Sequence, residues 1–147
     1  VEWPKHLIGG RTIDAPISTS DFYPTLLAVA GVEATDDQPI LDGIDVLPLL
    51  QGEREERGEP IMFQAPVKSE QDVLAVPGSL QSAICDDQYK LISVDGGERW
   101  RLFDLIEDPG EANDLADTQP DRVETMRTLL EDWIDSCARS RRGEDYR

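Results

Sequence analysis

The most regular pattern in the chain is an apolar stripe near its C-terminal end. Five apolar residues recur there at three- and four-residue steps: Val123, Met126, Leu130, Trp133 and Cys137. This spacing places them on one face of a helix. We predict that the helix begins near Pro120, since proline is tolerated in a first turn, and that residues 139–147 fray.

Short apolar runs separated by turn residues predict an antiparallel sheet before that helix. Residues 82–85 and 89–94 flank the turn residues 86–88 and predict a hairpin, and residues 100–105 predict a third strand. Residues 61–63 predict a buried fourth strand. The long helix is expected to cover one face of this sheet, with Trp100 and Trp133 filling the space between them.

Capping residues predict two helices in the first third of the chain. Ser18, Thr19 and Ser20 are candidate N-caps, and Asp21 adds negative charge to the first turn, where the helix dipole favours it. Gly31 is placed to end this helix. A short helix over 46–50 is expected next; its predicted cap and terminator are Asp45 and Gly52. Residues 1–17 predict the end of a strand followed by a turn.

The chain is strongly acidic, and this narrows its partners. It carries 31 acidic and 14 basic residues, a net charge of −17, and 11 of the basic residues are Arg. Nucleic acids and anionic membranes are poor partners for such a surface. Scarce Lys with a high acidic load fits a salt-rich cytoplasm, where ions screen self-repulsion, and an ordinary acidic domain is the alternative. The run 53–59 is interpreted as a solvated surface loop.

No signal peptide and no membrane-spanning stretch is visible, so we favour a soluble, cytoplasmic protein. The chain begins at Val1 without a methionine, and we expect it to be a segment of something longer.

Few residues suggest chemistry. Cys85 and Cys137 could form one disulfide, but free thiols are favoured because free Cys behaves as a small core residue. His6 is interpreted as a surface residue. Asp42 and Asp45 are three residues apart, which could suggest a metal, but a turn and a helix cap explain both. Other carboxylates are interpreted as turn or surface residues: Asp86, Asp87, Asp104, Glu107 and Asp108. Tyr89 is expected to cover the sheet and Lys90 to be exposed.

The order of several motifs resembles the C-terminal portion of the sulfatase family. They are Ser18 to Leu27, Ala30-Gly31-Val32, Leu41 to Gly52, Tyr89-Lys90-Leu91-Ile92, Leu102-Phe103-Asp104-Leu105, Asp108-Pro109-Gly110-Glu111 and the closing segment Pro120 to Trp133. The resemblance covers residues 1 to about 135, with Trp3-Pro4 at its start. Two departures stand out. Asn113-Asp114-Leu115 holds an extra residue, and Cys85 stands where the resemblance leads us to expect an Arg that could pair with a carboxylate.

The resemblance implies chemistry that this chain does not carry. Sulfatases convert a Cys or Ser in a Cys/Ser-x-Pro-x-Arg motif to formylglycine and hold calcium with Asp and Asn oxygens. Neither Cys85 nor Cys137 is followed by that Pro and Arg. We therefore expect no catalytic residue and no metal ligand in this chain, and calcium and formylglycine only in the parent enzyme.

The fold class that follows is α+β. A small antiparallel sheet of about four strands is packed by a long C-terminal helix. Before it come the last strand and helix of an incomplete α/β catalytic domain of the alkaline-phosphatase-like type. The expected division is 1–52 for the end of that domain, 53–59 for a charged loop, and 60–147 for the C-terminal subdomain.

Substrate contacts are expected only from the irregular segment 64–79, through Gln64, Lys68 and Gln71. The parent enzyme would act on a sulfated small molecule or glycan. The expected partner is the missing catalytic half, or a second copy bound through residues 1–52, where Leu26, Leu27 and Val29 lack a sheet to cover them. A non-catalytic interaction module, a truncated product without a role, and a related phosphate or phosphonate ester hydrolase remain alternatives.

Overall fold

Two units form along the chain in the computed structural model, which describes residues 1–33, 40–66 and 80–144. We call residues 1–59 the N-terminal unit and Pro60–Glu144 the C-terminal unit. Each has its own helices, and the sheet belongs to the second.

The N-terminal unit contains the two predicted helices. A single 3₁₀ turn, Thr19–Asp21, leads into α1, Phe22–Ala30, and Ser18 is the N-cap of that turn. Gly31 ends α1 at a φ of 66°, a left-handed conformation that glycine adopts at little cost. The second helix, α2, spans Leu47–Gln51 and ends at Gly52 in the same way.

The strand predicted within residues 1–17 is absent. This segment, which the structure describes in full, consists of turns, bends and irregular backbone. A strand needs the N–H and C=O groups of a neighbouring strand, and none of the described residues of the N-terminal unit forms one. The predicted strand therefore has no partner to pair with here.

The C-terminal unit is built on the predicted meander. Its strands are β1 Ile61–Pro66, β2 Leu80–Cys85, β3 Tyr89–Ser93 and β4 Arg101–Asp104, and they lie in the order β1-β2-β3-β4 with every neighbour antiparallel. The hairpin prediction is confirmed, and β1 is the fourth strand. Because β1 lies at an edge, it is only partly buried: Ile61 is enclosed, whereas Phe63 is half exposed.

Helix α3, Pro120–Arg141, covers one face of the sheet. Met126 and Leu130 pack with Ile84, Leu91 and Leu102, with Trp100 and Trp133 against the same cluster. Adjacent residues of a strand point to opposite faces, so Ala83, Ile92 and Phe103 form a second buried cluster on the other face of the sheet. The helix stays regular through Arg141, so the predicted fraying is wrong for residues 139–141, and residues 145–147 lie outside the described residues. Arg139 and Arg141 suit the negative end of its dipole.

Within the described residues, no helix is both long enough and apolar enough to cross a lipid bilayer.

Candidate functional site

The predicted substrate contacts can be placed only in part. Gln64 lies on β1 and not in an irregular segment as predicted, since the strand continues to Pro66. It is partly buried, and its Nε2 donates a 3.4 Å hydrogen bond to Oγ of Ser82 on β2. Lys68 and Gln71 lie outside the described residues. The structure therefore does not bring the three side chains together or separate them, and their role stays a prediction.

The cysteines and the histidine are single, separated groups. Neither Cys85 nor Cys137 forms a disulfide and both are only partly buried, so the prediction of two thiols is confirmed but not their full burial. Burial raises the pKa of the Cys85 thiol, which disfavours the thiolate. His6 is exposed and stacks on Trp3 with ring centroids 4.0 Å apart, as expected of a surface residue.

The carboxylates serve the local backbone. Asp45 Oδ1 accepts a hydrogen bond from the Leu47 amide at the start of α2 at 2.8 Å, but the N-cap residue of α2 is Val46 and not Asp45 as predicted. Asp86 Oδ1 accepts from the Gln88 amide in the hairpin turn. Asp104 is not a surface residue: it is buried, and backbone hydrogen bonds from Glu107 and Ile106 together with the Gln88 side chain lower the pKa of its carboxyl despite its burial. Calcium needs six to eight oxygen ligands, and no group of three or more His, Cys, Asp or Glu side chains in the described segments could hold a metal.

Two predictions for strand β3 resolve differently. The Tyr89 ring packs against the core cluster beneath α3, as expected, with the guanidinium carbon of Arg122 3.8 Å from its centroid. Lys90 is not a free surface ammonium: its Nζ lies 2.7 Å from both carboxylate oxygens of Glu111. Glu111 adopts a φ of 53°, the one positive φ of a non-glycine residue in the described segments. Because the side chain of Lys90 is 22% exposed, this pair is a partly screened surface contact.

The most buried polar feature is an ion pair that the sequence interpretation missed. The carboxylate of Asp21 is fully buried and accepts hydrogen bonds from both terminal nitrogens of Arg57. Nη1 donates to Oδ2 at 2.5 Å and Nη2 donates to Oδ1 at 2.9 Å. The same carboxylate accepts the Ser18 amide at 2.7 Å and the Ile44 amide at 2.9 Å. Burial alone would raise the pKa of Asp21, but these donors outweigh it and hold the pKa below its ordinary value.

Arg57 therefore corrects the interpretation of 53–59 as a wholly solvated run. It is 1% exposed, and its Nε donates to the Glu59 carbonyl at 2.7 Å, while Arg54 donates to the Arg57 carbonyl. The remaining charged residues of the run are exposed. A capping-box carboxylate, Asp21, is visible in the sequence, but a partner 36 positions away has no local signal.

Helices α1 and α2 are held side by side. Thr25 on α1 is buried, and its Oγ1 accepts the Val46 amide at the start of α2 at 3.0 Å. Gly43 lies close to the 3₁₀ turn that precedes α1, since a Cβ on it would lie 2.1 Å from the Ser20 carbonyl oxygen. These contacts place the helices at fixed separation within the N-terminal unit.

Between and beside them lies an apolar depression of about 410 Å³. We call it the α1–α2 groove; residues along it include Trp3, Leu7, Phe22, Leu26, Val29 and Leu50. Leu26 is 64% exposed, Phe22 52% and Val29 39%. The expected uncovered apolar side of α1 is therefore present at Leu26 and Val29, whereas Leu27 is partly buried. Large exposed apolar patches usually mark contact sites.

Comparison with known proteins shows which family this sequence resembles. Residues 1–138 match the family model described as "N-sulphoglucosamine sulphohydrolase, C-terminal". The chain is 29% identical to steryl-sulfatase of Mus musculus across 97% of its own length and 25% of that protein. It is 30% identical to the Delta 4,5-hexuronate-2-O-sulfatase of Bacteroides thetaiotaomicron across 88% of its length and 25% of that protein.

A solved structure agrees with the sequence comparisons. The crystal structure of Ps i-CgsB superimposes with a TM-score of 0.73 at 29% identity, covering 89% of this chain and 27% of that one. The chain thus spans about a quarter of the length of the proteins it matches. On this evidence the chain belongs to the sulfatase family and corresponds to its C-terminal portion.

Proposed function

We propose that this chain is the non-catalytic C-terminal portion of a sulfuric ester hydrolase and that it completes an active site supplied by a catalytic portion. The observation that carries the proposal is the match over residues 1–138 combined with coverage of only about a quarter of each relative. On its own the chain would be inactive.

The chemistry of the described residues supports that inactivity. Sulfate transfer in this family needs a strong nucleophile and a cation at the sulfate. Burial raises the pKa of the Cys85 thiol, and a raised pKa disfavours the thiolate that would act as a nucleophile. The described side chains do not fit a calcium site, so we assign calcium and the formylglycine to the catalytic portion.

The substrate class we propose is a sulfated small molecule or glycan. Two matched proteins support the glycan form: one is named for a hexuronate sulfate, and Ps i-CgsB has been solved with k-i-k-neocarrahexaose. The contacts assigned to this chain are Gln64, Lys68 and Gln71. A lysine suits a sulfate because its ammonium offers three donors and a full positive charge.

A chimera tests the proposal. The matched quarter of Ps i-CgsB is replaced by this chain, and release of 4-nitrophenol is measured from its sulfate and its phosphate ester. The isolated chain should release neither product, and the chimera should cleave the sulfate. Cleavage of phosphate alone would favour the related phosphate ester hydrolase, and a soluble, folded chimera that cleaves neither ester would contradict the proposal.

Within the active chimera, Lys68→Gln should raise KM for a sulfated oligosaccharide several-fold with little change in kcat. Lys5→Gln, an exposed lysine of the N-terminal unit, is the matched control. Equal KM values for the two variants would remove Lys68 from the substrate contacts.

A second candidate function is an interaction module that binds another chain without completing a sulfatase. The uncovered apolar side of α1 favours it, because such a surface needs a partner whether or not catalysis follows. It predicts a stable complex without sulfate release.

A further inference from the structure

We propose that the last turn of α3 binds the sulfate groups of an anionic glycan through Arg139, Arg141 and Arg142, which we call the arginine cluster. This inference rests on the proposed function, because it assigns a second contact surface for a sulfated glycan substrate. The cluster is separate from the contacts proposed on and after β1.

The charge along α3 is divided between its two parts. Residues 120–135 hold five carboxylates and two arginines, whereas residues 136–143 hold three arginines and no carboxylate. The whole chain carries 31 acidic and 14 basic residues, so the end of this helix reverses the prevailing charge. An anionic ligand therefore meets a locally positive surface here.

The guanidinium groups of the cluster are accessible to a ligand. Arg139 and Arg141 are exposed, and neither forms an ion pair or a side-chain hydrogen bond with the residues that the structure describes. Asp135 precedes Arg139 by four positions, the spacing of a helical ion pair, yet the two do not pair. Arg142 pairs with Glu144, but these side chains are 59% and 49% exposed, so water and salt weaken the contact. A ligand can reach all three arginines.

The fold gains little from placing three cations together. The helix dipole favours a cation at this end by about 0.3–1 kcal/mol. Arg139 and Arg142 lie three positions apart, however, and like charges at that spacing repel each other by about 0.2–0.5 kcal/mol. Leu130, the last buried residue of α3, lies about 13 Å of helix before Arg139. The cluster therefore lies beyond the packed part of the helix, and stability does not account for it.

The chemistry of the cluster fits a multiply sulfated ligand. A guanidinium offers parallel N–H donors that match two oxygens of a tetrahedral oxyanion, and it is more weakly hydrated than an ammonium group. Because Arg141 lies two positions from Arg139, it points to a different side of the helix. A glycan with several sulfates can contact more than one arginine at once. At physiological ionic strength the Debye length is about 8 Å, so more distant carboxylates are screened.

Nucleic acid is the other polyanion to consider, and the observations favour it less. Stable binding of DNA commonly uses about six to ten phosphate contacts. Three arginines on one helix end cannot supply that number, and the net charge of −17 opposes a longer contact surface.

The test is direct binding by the full chain. The probe is fluorescein-labelled dextran sulfate, and labelled unsulfated dextran and a short single-stranded DNA are the comparison ligands. Fluorescence anisotropy gives Kd at several salt concentrations. Dextran sulfate should bind with a Kd that rises with salt, dextran should not bind, and the DNA should bind more weakly.

Matched double variants locate the contact. Arg139→Gln/Arg141→Gln should weaken dextran sulfate binding about five-fold or more and reduce the salt slope by about one to two. Lys5→Gln/Arg127→Gln removes the same charge from two other exposed positions and should change Kd less than about two-fold. Arg139→Lys/Arg141→Lys should bind between wild type and the Gln pair, because lysine keeps the charge but lacks the planar fork. Circular dichroism should show that all three double variants fold.

Several results would overturn the arginine cluster as a site. They are no binding of dextran sulfate by wild type, an equal loss in the Lys5/Arg127 pair, and equal affinity for dextran or for DNA. The chimera separates this inference from the proposed function. Cluster-dependent binding with a chimera that cleaves no sulfate ester supports the site and contradicts the function. An active chimera with binding unaffected by the Gln pair supports the function and overturns the site.

Discussion

Removing the charge of Asp21 should strongly destabilise the N-terminal unit. Asp21→Asn keeps the shape of the side chain but removes the carboxylate charge that pairs with the guanidinium of Arg57, which is 1% exposed. Breaking one side of a buried, hydrogen-bonded pair typically costs about 3–5 kcal/mol. The geometry here favours the upper part of that range, because one carboxylate accepts four donors from three separate segments. An amide oxygen can serve only some of them.

The measurement should report on this unit alone. Hydrogen exchange of the Ile44 and Val46 amides does so, since both donate to α1 side chains, Asp21 Oδ1 and Thr25 Oγ1. Asp21→Asn should lower the opening free energy at both amides by about 3–5 kcal/mol, or to the limit set by global unfolding. Arg57→Lys should lower it less, because the charge remains while the paired guanidinium contact is lost.

The matched control is the exposed pair Arg127–Glu131 on α3, whose side chains are 43% and 53% exposed. Glu131→Gln should leave the stability nearly unchanged, as expected for a solvent-screened i,i+4 pair. If Asp21→Asn shifts exchange at Ile44 and Val46 by no more than Glu131→Gln does, the buried pair does not hold this unit together. Protection lost in Glu131→Gln as well would show that the probes are not specific.

Three further predictions concern stability. Gly43→Ala should cost about 1–3 kcal/mol because its Cβ meets the Ser20 carbonyl 2.1 Å away, whereas Gly9→Ala, with no atom within 4 Å, should be neutral in urea unfolding. Leu91→Ala, at a fully buried position, should cost about 2–5 kcal/mol by thermal unfolding, and Leu129→Ala, 45% exposed, much less. Asp95 has its pKa lowered from 3.8 to about 2, because hydrogen bonds from Arg99 and Ser93 outweigh the effect of burial. Because its folded pKa is lowered, ionised Asp95 stabilises the protein above the unfolded pKa of 3.8, and this stabilisation is lost as pH falls from 3.8 through about 2. Asp95→Asn should therefore cost about 1 kcal/mol at pH 7, after discounting for the 61% exposed Arg99, and clearly less near pH 2, as measured by urea unfolding.

The features that the sequence predicts well are those set by neighbouring residues. The hairpin around residues 86–88, the helix from Pro120 and the glycine terminators Gly31 and Gly52 depend on local turn and cap chemistry, and each is found in the structure. The stripe of α3 packs as its spacing indicates. Periodicity and capping are short-range signals that a single sequence contains.

The features that the sequence does not predict are set by tertiary contacts. Arg57 lies in a run of charged residues, and only the folded arrangement of α1 reveals its partner 36 positions away. Lys90 pairs with Glu111, which lies 21 positions away and has a positive φ. The strand expected before residue 17 fails for the converse reason: its local pattern is suitable, but pairing needs a second strand. Local propensity cannot supply any of these partners.

The interiors of the two units differ in composition. Among the described residues that are buried and apolar, ten belong to the C-terminal unit and only Val46 and Leu49 to the N-terminal one. The other buried residues of that unit are polar or charged: Asp21, Thr25 and Arg57. Because apolar burial is the main stabilising term in folding, a unit organised this way should open more readily than the sheet. The Ile44 and Val46 amides should therefore exchange faster than the β3 amides that pair with β2. Equal protection in the two units would mean that buried polar contacts hold the N-terminal unit as firmly as apolar packing holds the sheet.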